Sequence, residues 1–181
     1  MKYALLVIKL LIIAFLARLL FFLATGYDPA SAGYRPPITI FIIDTINLFI
    51  HEAGHFFMRP FGMFVYILGG SLIQCLIPLA LVIVTFRRNI SYIAYPAFWL
   101  GENFLNVSVY IQDAPYRKLK LIAQGLIHDW HWLLSDNLDL ASPLATTVQL
   151  TGLLICFAGL LAGIWFAIKD FREYKEDFTH D

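Results

Sequence analysis

Two histidines and a glutamate stand together at His51-Glu52-Ala53-Gly54-His55, inside a segment otherwise rich in Ile, Leu, Phe and Met. Positions i and i+4 share one face of a helix, so both imidazoles can reach one ion while Glu52 flanks the remaining coordination position. This is the H-E-x-x-H pattern of zinc hydrolases, in which the glutamate serves as general base to a metal-bound water. A structural metal or a plain polar cluster is the competing reading. It has to account for three ionisable groups kept at a price within a membrane span. Two histidines also supply only two of the three protein ligands that a catalytic zinc takes, so a third must come from elsewhere in the chain.

The elements that must position these groups are membrane helices. Of the 181 residues, 60% are hydrophobic, 16% aromatic and only 14% charged, with a mean hydropathy of +0.71; an ordinary soluble domain is about 25% charged. Basic and acidic residues balance and form no basic stripe, which argues against nucleic acid as a partner, while the apolar composition makes membrane lipid the surroundings. The expected fold is all-α, a polytopic membrane helix bundle of about five transmembrane helices in a single membrane domain, residues 1–181. Apolar runs place the spans at residues 3–25, 38–58, 63–86, 90–112 and 148–168, with an interfacial connection at 113–147 and a short charged tail at 169–181. The first run is too long for a signal-peptide core and reads as a membrane helix. Lys9 and Arg18 within it are expected to snorkel or to face neighbouring helices. Cys75 and Cys156 read as buried core residues, and the glycines of the last span as packing positions.

Counting spans narrows the source of the third ligand. If the second span descends, the histidines lie toward its lower end; the third ascends, and the fourth descends to bring Asp113 to the same side. The connection that follows carries His128 and Asp129. Asp113 is therefore the first candidate, with His128 and Asp129 as alternatives, either as ligand or as a group that orients a ligating imidazole. Asn106 and Asn103 are candidates for hydrogen bonding to a developing oxyanion. Asp44 lies about 10 Å up the helix from His51, too far to share its metal, and suits an interhelical hydrogen bond or a water path. Glu102, in mid-span, needs a partner. His131 and His180 have weaker claims, and Trp130 and Trp132 suit an interfacial anchor.

These residues resemble the site-2 protease class of intramembrane zinc metalloproteases, the M50-like peptidases. The points of resemblance are His51-Glu52-Ala53-Gly54-His55 on an early membrane helix, a returning helix, and the Asn106-to-Asp113 stretch that ends a later one. The family's N-x-x-P-x-x-x-x-D-G type motif is matched with departures: the internal proline is missing, the spacing is one residue shorter, and Asp113 is followed by Ala114. The chain is also similar to small bacterial membrane proteins with HEAGH, through Gly69-Gly70, Trp99-Leu100-Gly101-Glu102-Asn103, Tyr110-Ile111-Gln112-Asp113-Ala114 and His128-Asp129-Trp130. The resemblance implies an M50-like metallopeptidase in the bacterial inner membrane, with the metal nearer the cytoplasmic face and the N-terminus inside.

The expected function is thus a zinc (Zn2+) metalloprotease that hydrolyses a peptide bond in a transmembrane or juxtamembrane protein substrate. Glu52 would be catalytic, and His51, His55 and Asp113 would bind the metal. A zinc hydrolase of a lipid amide or ester is one alternative, because zinc-bound water does not itself select peptides. A non-catalytic metal-binding or metal-transport protein, with Asp44, Glu102 and the histidines lining an ion path, is another.

Overall fold

The computed structural model describes residues 2–119 and 127–176. Lys120, in the connection expected at 113–147, and His180 of the charged tail lie outside the described residues. Among the described residues all regular structure is helical. The main helices are α1 (Lys2–Thr25), α2 (Ile38–Met58), α3 (Met63–Arg88), α4 (Ala94–Gln112), the short α5 (Asp129–Leu133) and α6 (Ala141–Glu176).

Among the described residues three stretches are long and apolar enough to cross a membrane: Tyr3–Thr25, Met63–Arg88 and Leu138–Glu173. Helices α2 and α4 are nearly as long, but carry Asp44, Asn47, His51, Glu52 and His55 on one and Glu102, Asn103 and Asn106 on the other. The last long helix begins at Ala141 rather than at the expected position 148. Ser142-Pro143 falls within the stretch expected as a connection, yet proline within the first turn of a helix loses no intrahelical hydrogen bond.

Helix α4 lies at the centre, packed most extensively on α6 and also against α3 and α1. Small residues let α4 and α6 approach closely. A methyl added at Gly159 would lie 2.6 Å from Ala97 Cβ, and one at Gly163 would lie 2.6 Å from Ala94 Cβ. On the other side α2 and α3 form a hairpin joined by the 3-10 turn Arg59–Phe61 and Gly62. Gly62 takes φ +92°, a left-handed conformation that a side chain would strain. Lys9 Nζ meets Asp170 Oδ2 at 2.6 Å, so it tethers α1 to α6, whereas Arg18 is exposed. Cys156 is fully buried in the core cluster that also contains Leu19, Leu23, Ile40, Phe98 and Leu105.

Candidate metal centre

The i, i+4 spacing on α2 brings the two imidazoles together, with ring centroids 4.8 Å apart. Both Nε2 atoms face one oxygen: Asp129 Oδ2 lies 2.8 Å from His51 Nε2 and 3.2 Å from His55 Nε2. One ligand atom from each of His51, His55 and Asp129 falls within 4.8 Å of the others, so this buried group could hold a metal ion. The other ring nitrogens are tied back. His51 Nδ1 lies 3.1 Å from Gln74 Oε1, and His55 Nδ1 lies 2.8 Å from the Tyr66 carbonyl. A carbonyl oxygen only accepts, so each Nδ1 carries a hydrogen and each neutral ring presents its Nε2 lone pair to the carboxylate. Lone pairs facing a carboxylate repel unless protons or a cation lie among them. This donor set, two imidazole nitrogens and a carboxylate oxygen with both far nitrogens hydrogen-bonded, is what a zinc-type ion takes.

Glycines make room for the rings. A methyl at Gly70 would stand 2.5 Å from His51 Nε2, and one at Gly54 would run into the Gly69 carbonyl oxygen, so α3 passes unusually close to the histidine-bearing face of α2.

Asp129 opens α5, and three side chains fasten that short helix. Trp130 Nε1 donates to Ser71 Oγ on α3 at 3.1 Å, and His131 Nδ1 donates to the Ala114 carbonyl at 2.9 Å. His128 caps the helix, with its Nδ1 accepting from the His131 backbone at 3.4 Å, which leaves its Nε2–H to donate to Asp113 Oδ2 at 3.1 Å. With protons on the two Nε2 atoms in place of a cation, burial still works to raise the Asp129 carboxyl, but the hydrogen bonds from His51 and His55 outweigh it and hold it below the usual carboxylate range.

The structure therefore brings Asp129, not the first-ranked Asp113, to the histidine pair. Asp113 turns the other way because its oxygens accept from the backbone N–H groups of Lys118 and Leu119, both at 2.9 Å, in addition to His128. Arg117, at φ 52°, reverses the chain so that those two N–H groups point back at the carboxylate. His128 belongs to this same clasp and not to the cluster of His51, His55 and Asp129.

Glu52 lines a cavity of about 490 Å³ together with His51, His55, Asp129, Gln74 and Tyr110. Asn106 also lines it, but the two hydrogens of its amide are committed to Tyr27 Oη at 2.8 Å and Asp44 Oδ1 at 3.1 Å, so no hydrogen is left for an oxyanion. Asn103 is fully buried, donates to the Trp99 carbonyl and is not among the cavity-lining residues. Asp44 makes the interhelical contact expected of it, and Glu102 accepts from Asn47 Nδ2 at 2.7 Å.

Two residues of the site carry no signal in the H-E-x-x-H pattern. Gln74 is a solitary amide in the apolar α3, and that isolation was its one clue. Tyr110 stacks on His128, with centroids 4.7 Å apart, and presents an edge relation to His51 at 5.7 Å. Comparison with known proteins adds nothing to this picture, since no family model, characterised protein or solved structure matches the chain.

Proposed function

We propose that the chain is an intramembrane zinc hydrolase, most consistent with a metalloprotease of a membrane-embedded or juxtamembrane peptide. The observation that carries the reading is the convergence of two Nε2 atoms and Asp129 Oδ2 while both Nδ1 atoms are held by acceptors. His51, His55 and Asp129 would hold the ion. A zinc ion in such a site polarises a carbonyl and lowers the pKa of water to about 7. Glu52, which lines the same cavity one residue from His51, would take up a proton there and return it to a leaving amine. The Tyr110 phenol is a further polar group on that wall.

In this reading α2 and α4 also cross the bilayer, giving five spans. The outward face of α2 supports it: Phe41, Phe49 and Phe56 are 56%, 65% and 73% exposed, while Asn47 and His51 are buried. A helix with its polar residues inside and its aromatic ones outside suits lipid rather than water. The resemblance to site-2 proteases points to the bacterial inner membrane and a protein substrate.

The test is zinc content and peptide hydrolysis for the wild type and Glu52→Gln in detergent or proteoliposomes. The variant should keep its zinc and lose turnover. Full activity in Glu52→Gln would refute the assignment, and wild-type turnover of lipid amides but not peptides would reassign the substrate.

A further inference from the structure

His55 needs no help in choosing which nitrogen to leave bare, because a backbone carbonyl can only accept. His51 is different. Its Nδ1 faces the side chain of Gln74, an amide that can present either its oxygen or its NH2 group. If the NH2 group faced Nδ1, the ring hydrogen would move to Nε2 and block the position facing Asp129. Something must decide the amide's direction.

The hydrogen bonds continue from Gln74 and end on a group whose role is fixed. Gln74 Nε2 donates to Asn106 Oδ1 at 2.9 Å, and Asn106 Nδ2 donates to Asp44 Oδ1 and Tyr27 Oη. Tyr27 Oη in turn donates to Asp44 Oδ1 at 2.8 Å. Burial and the charge of Asp44 push the Tyr27 phenol well above its ordinary value, so it stays a donor. Asp44 Oδ1 thus accepts twice. Its carboxyl also lies within hydrogen-bonding reach of Glu102, whose Oε1 has no other partner among the described residues. One hydrogen shared between the two carboxyls satisfies both, and whichever of them carries it, Asp44 Oδ1 remains an acceptor. The direction then propagates: Asn106 must offer NH2 to Asp44, so its oxygen meets Gln74, whose own oxygen meets His51 Nδ1–H.

We propose that Asp44, a positioning residue two helical turns from His51, sets which nitrogen of His51 is free for the metal, acting through Asn106 and Gln74. The inference rests on the metal reading above. The relay runs from α2 to α4, to α3 and back to α2, and it gives the buried Asp44–Glu102 pair a role that direct ligation does not.

The residue's acceptor oxygen, rather than its charge, is what the relay uses. Asp44→Asn can keep an oxygen toward Tyr27 and Asn106 while its NH2 group meets Glu102, so the relay survives. Asp44→Leu removes the acceptor. Tyr27 is then free to donate to Asn106 Oδ1, which turns the Asn106 amide over, turns Gln74 after it and moves the His51 hydrogen to Nε2. Asn106→Leu breaks the relay at its next link and serves if Asp44→Leu does not fold.

The experiment uses the full-length protein in micelles, with helicity checked by circular dichroism. It measures zinc affinity by chelator competition and the protonated His51 nitrogen by NMR of 15N-histidine-labelled protein. Wild type and Asp44→Asn should bind zinc alike and show hydrogen on Nδ1. Asp44→Leu and Asn106→Leu should bind about 10- to 100-fold more weakly and lose that signal. Wild-type affinity with an unchanged Nδ1–H in either leucine variant overturns the relay, as does an Asp44→Asn variant as weak as Asp44→Leu. A wild type that binds no zinc sinks the metal reading instead. The relay falls with it in that case, whereas zinc binding by the wild type with unaffected leucine variants overturns the relay alone.

Discussion

Replacing Gly70 with alanine places one methyl group against His51 Nε2. The added carbon would lie 2.5 Å from His51 Nε2 and 2.7 Å from both Cδ2 and Cε1. An ordinary contact is 3.4 Å or more, so ring and backbone have to separate by about 1 Å. The ring has little freedom to retreat, because Gln74 holds its Nδ1 and Tyr110 stands at its side. The helices cannot simply part either, since Gly54 sits against the Gly69 carbonyl one residue away. A misplacement of about 1 Å costs on the order of 100-fold where geometry is demanding, or about 3 kcal/mol. Zinc affinity in Gly70→Ala should fall by about that factor. Helix α3 itself should not weaken, because alanine is a better helix former than glycine by about 1 kcal/mol. Circular dichroism should therefore show unchanged helicity while chelator competition shows the loss. Gly69→Ala is the comparison: its methyl meets Met58 Cβ at 2.6 Å and the Gly54 carbonyl at 3.0 Å, so it should loosen the hairpin without striking the imidazole. If Gly70→Ala bound zinc within about threefold of wild type, the ring would not be the group this backbone makes room for, and the metal geometry would be wrong.

Asp129→Ala should abolish tight zinc binding, whereas Asp113→Ala should weaken it by about 10- to 100-fold by releasing His128 and with it α5; equal losses measured by chelator competition would contradict this division of roles. Trp130→Phe keeps the apolar contact of α5 but removes the bond to Ser71 Oγ, and should lower zinc affinity by less than Asp113→Ala in the same assay. Gly159→Leu drives a branched side chain into Ala97 and should destabilise the α4–α6 packing by about 1–3 kcal/mol, read as a lower unfolding midpoint in detergent with zinc affinity little changed below that midpoint.

Much of the fold is legible in the chain because lipid imposes few solutions. The boundaries of α1 and α2 follow from apolar runs and the proline- and glycine-rich breaks between them, and in this they agree with the structure. The beginning of α6 does not, because Ser142-Pro143 satisfies the first turn of a helix as well as it satisfies a loop. Helices α2 and α4 fall outside the three apolar stretches because they carry the polar groups of the candidate site, so the residues that mark that site are also those that blur the membrane signal.

The centre itself divides in the same way. His51 and His55 are related by the helix repeat alone, and a local pattern suffices to find them. The third group depends on how a five-residue helix docks, and span counting brings Asp113, His128 and Asp129 to one end of the bundle without ordering them. What orders them is competition for hydrogen bonds. The turn after α4 presents the Lys118 and Leu119 N–H groups to Asp113, which takes those and His128, and a carboxylate so occupied has little left for a metal. His128, bound to Asp113 and capping α5, leaves the next residue facing the two Nε2 atoms. Asp113 and Asp129 thus divide the work that sequence reasoning assigns to one residue: the first secures the segment, and the second faces the imidazoles. The same logic explains Gln74 and Asn106. Each is a single amide within a span and unremarkable alone, and their meaning lies in a direction of donation that only the closed chain from Asp44 to His51 reveals.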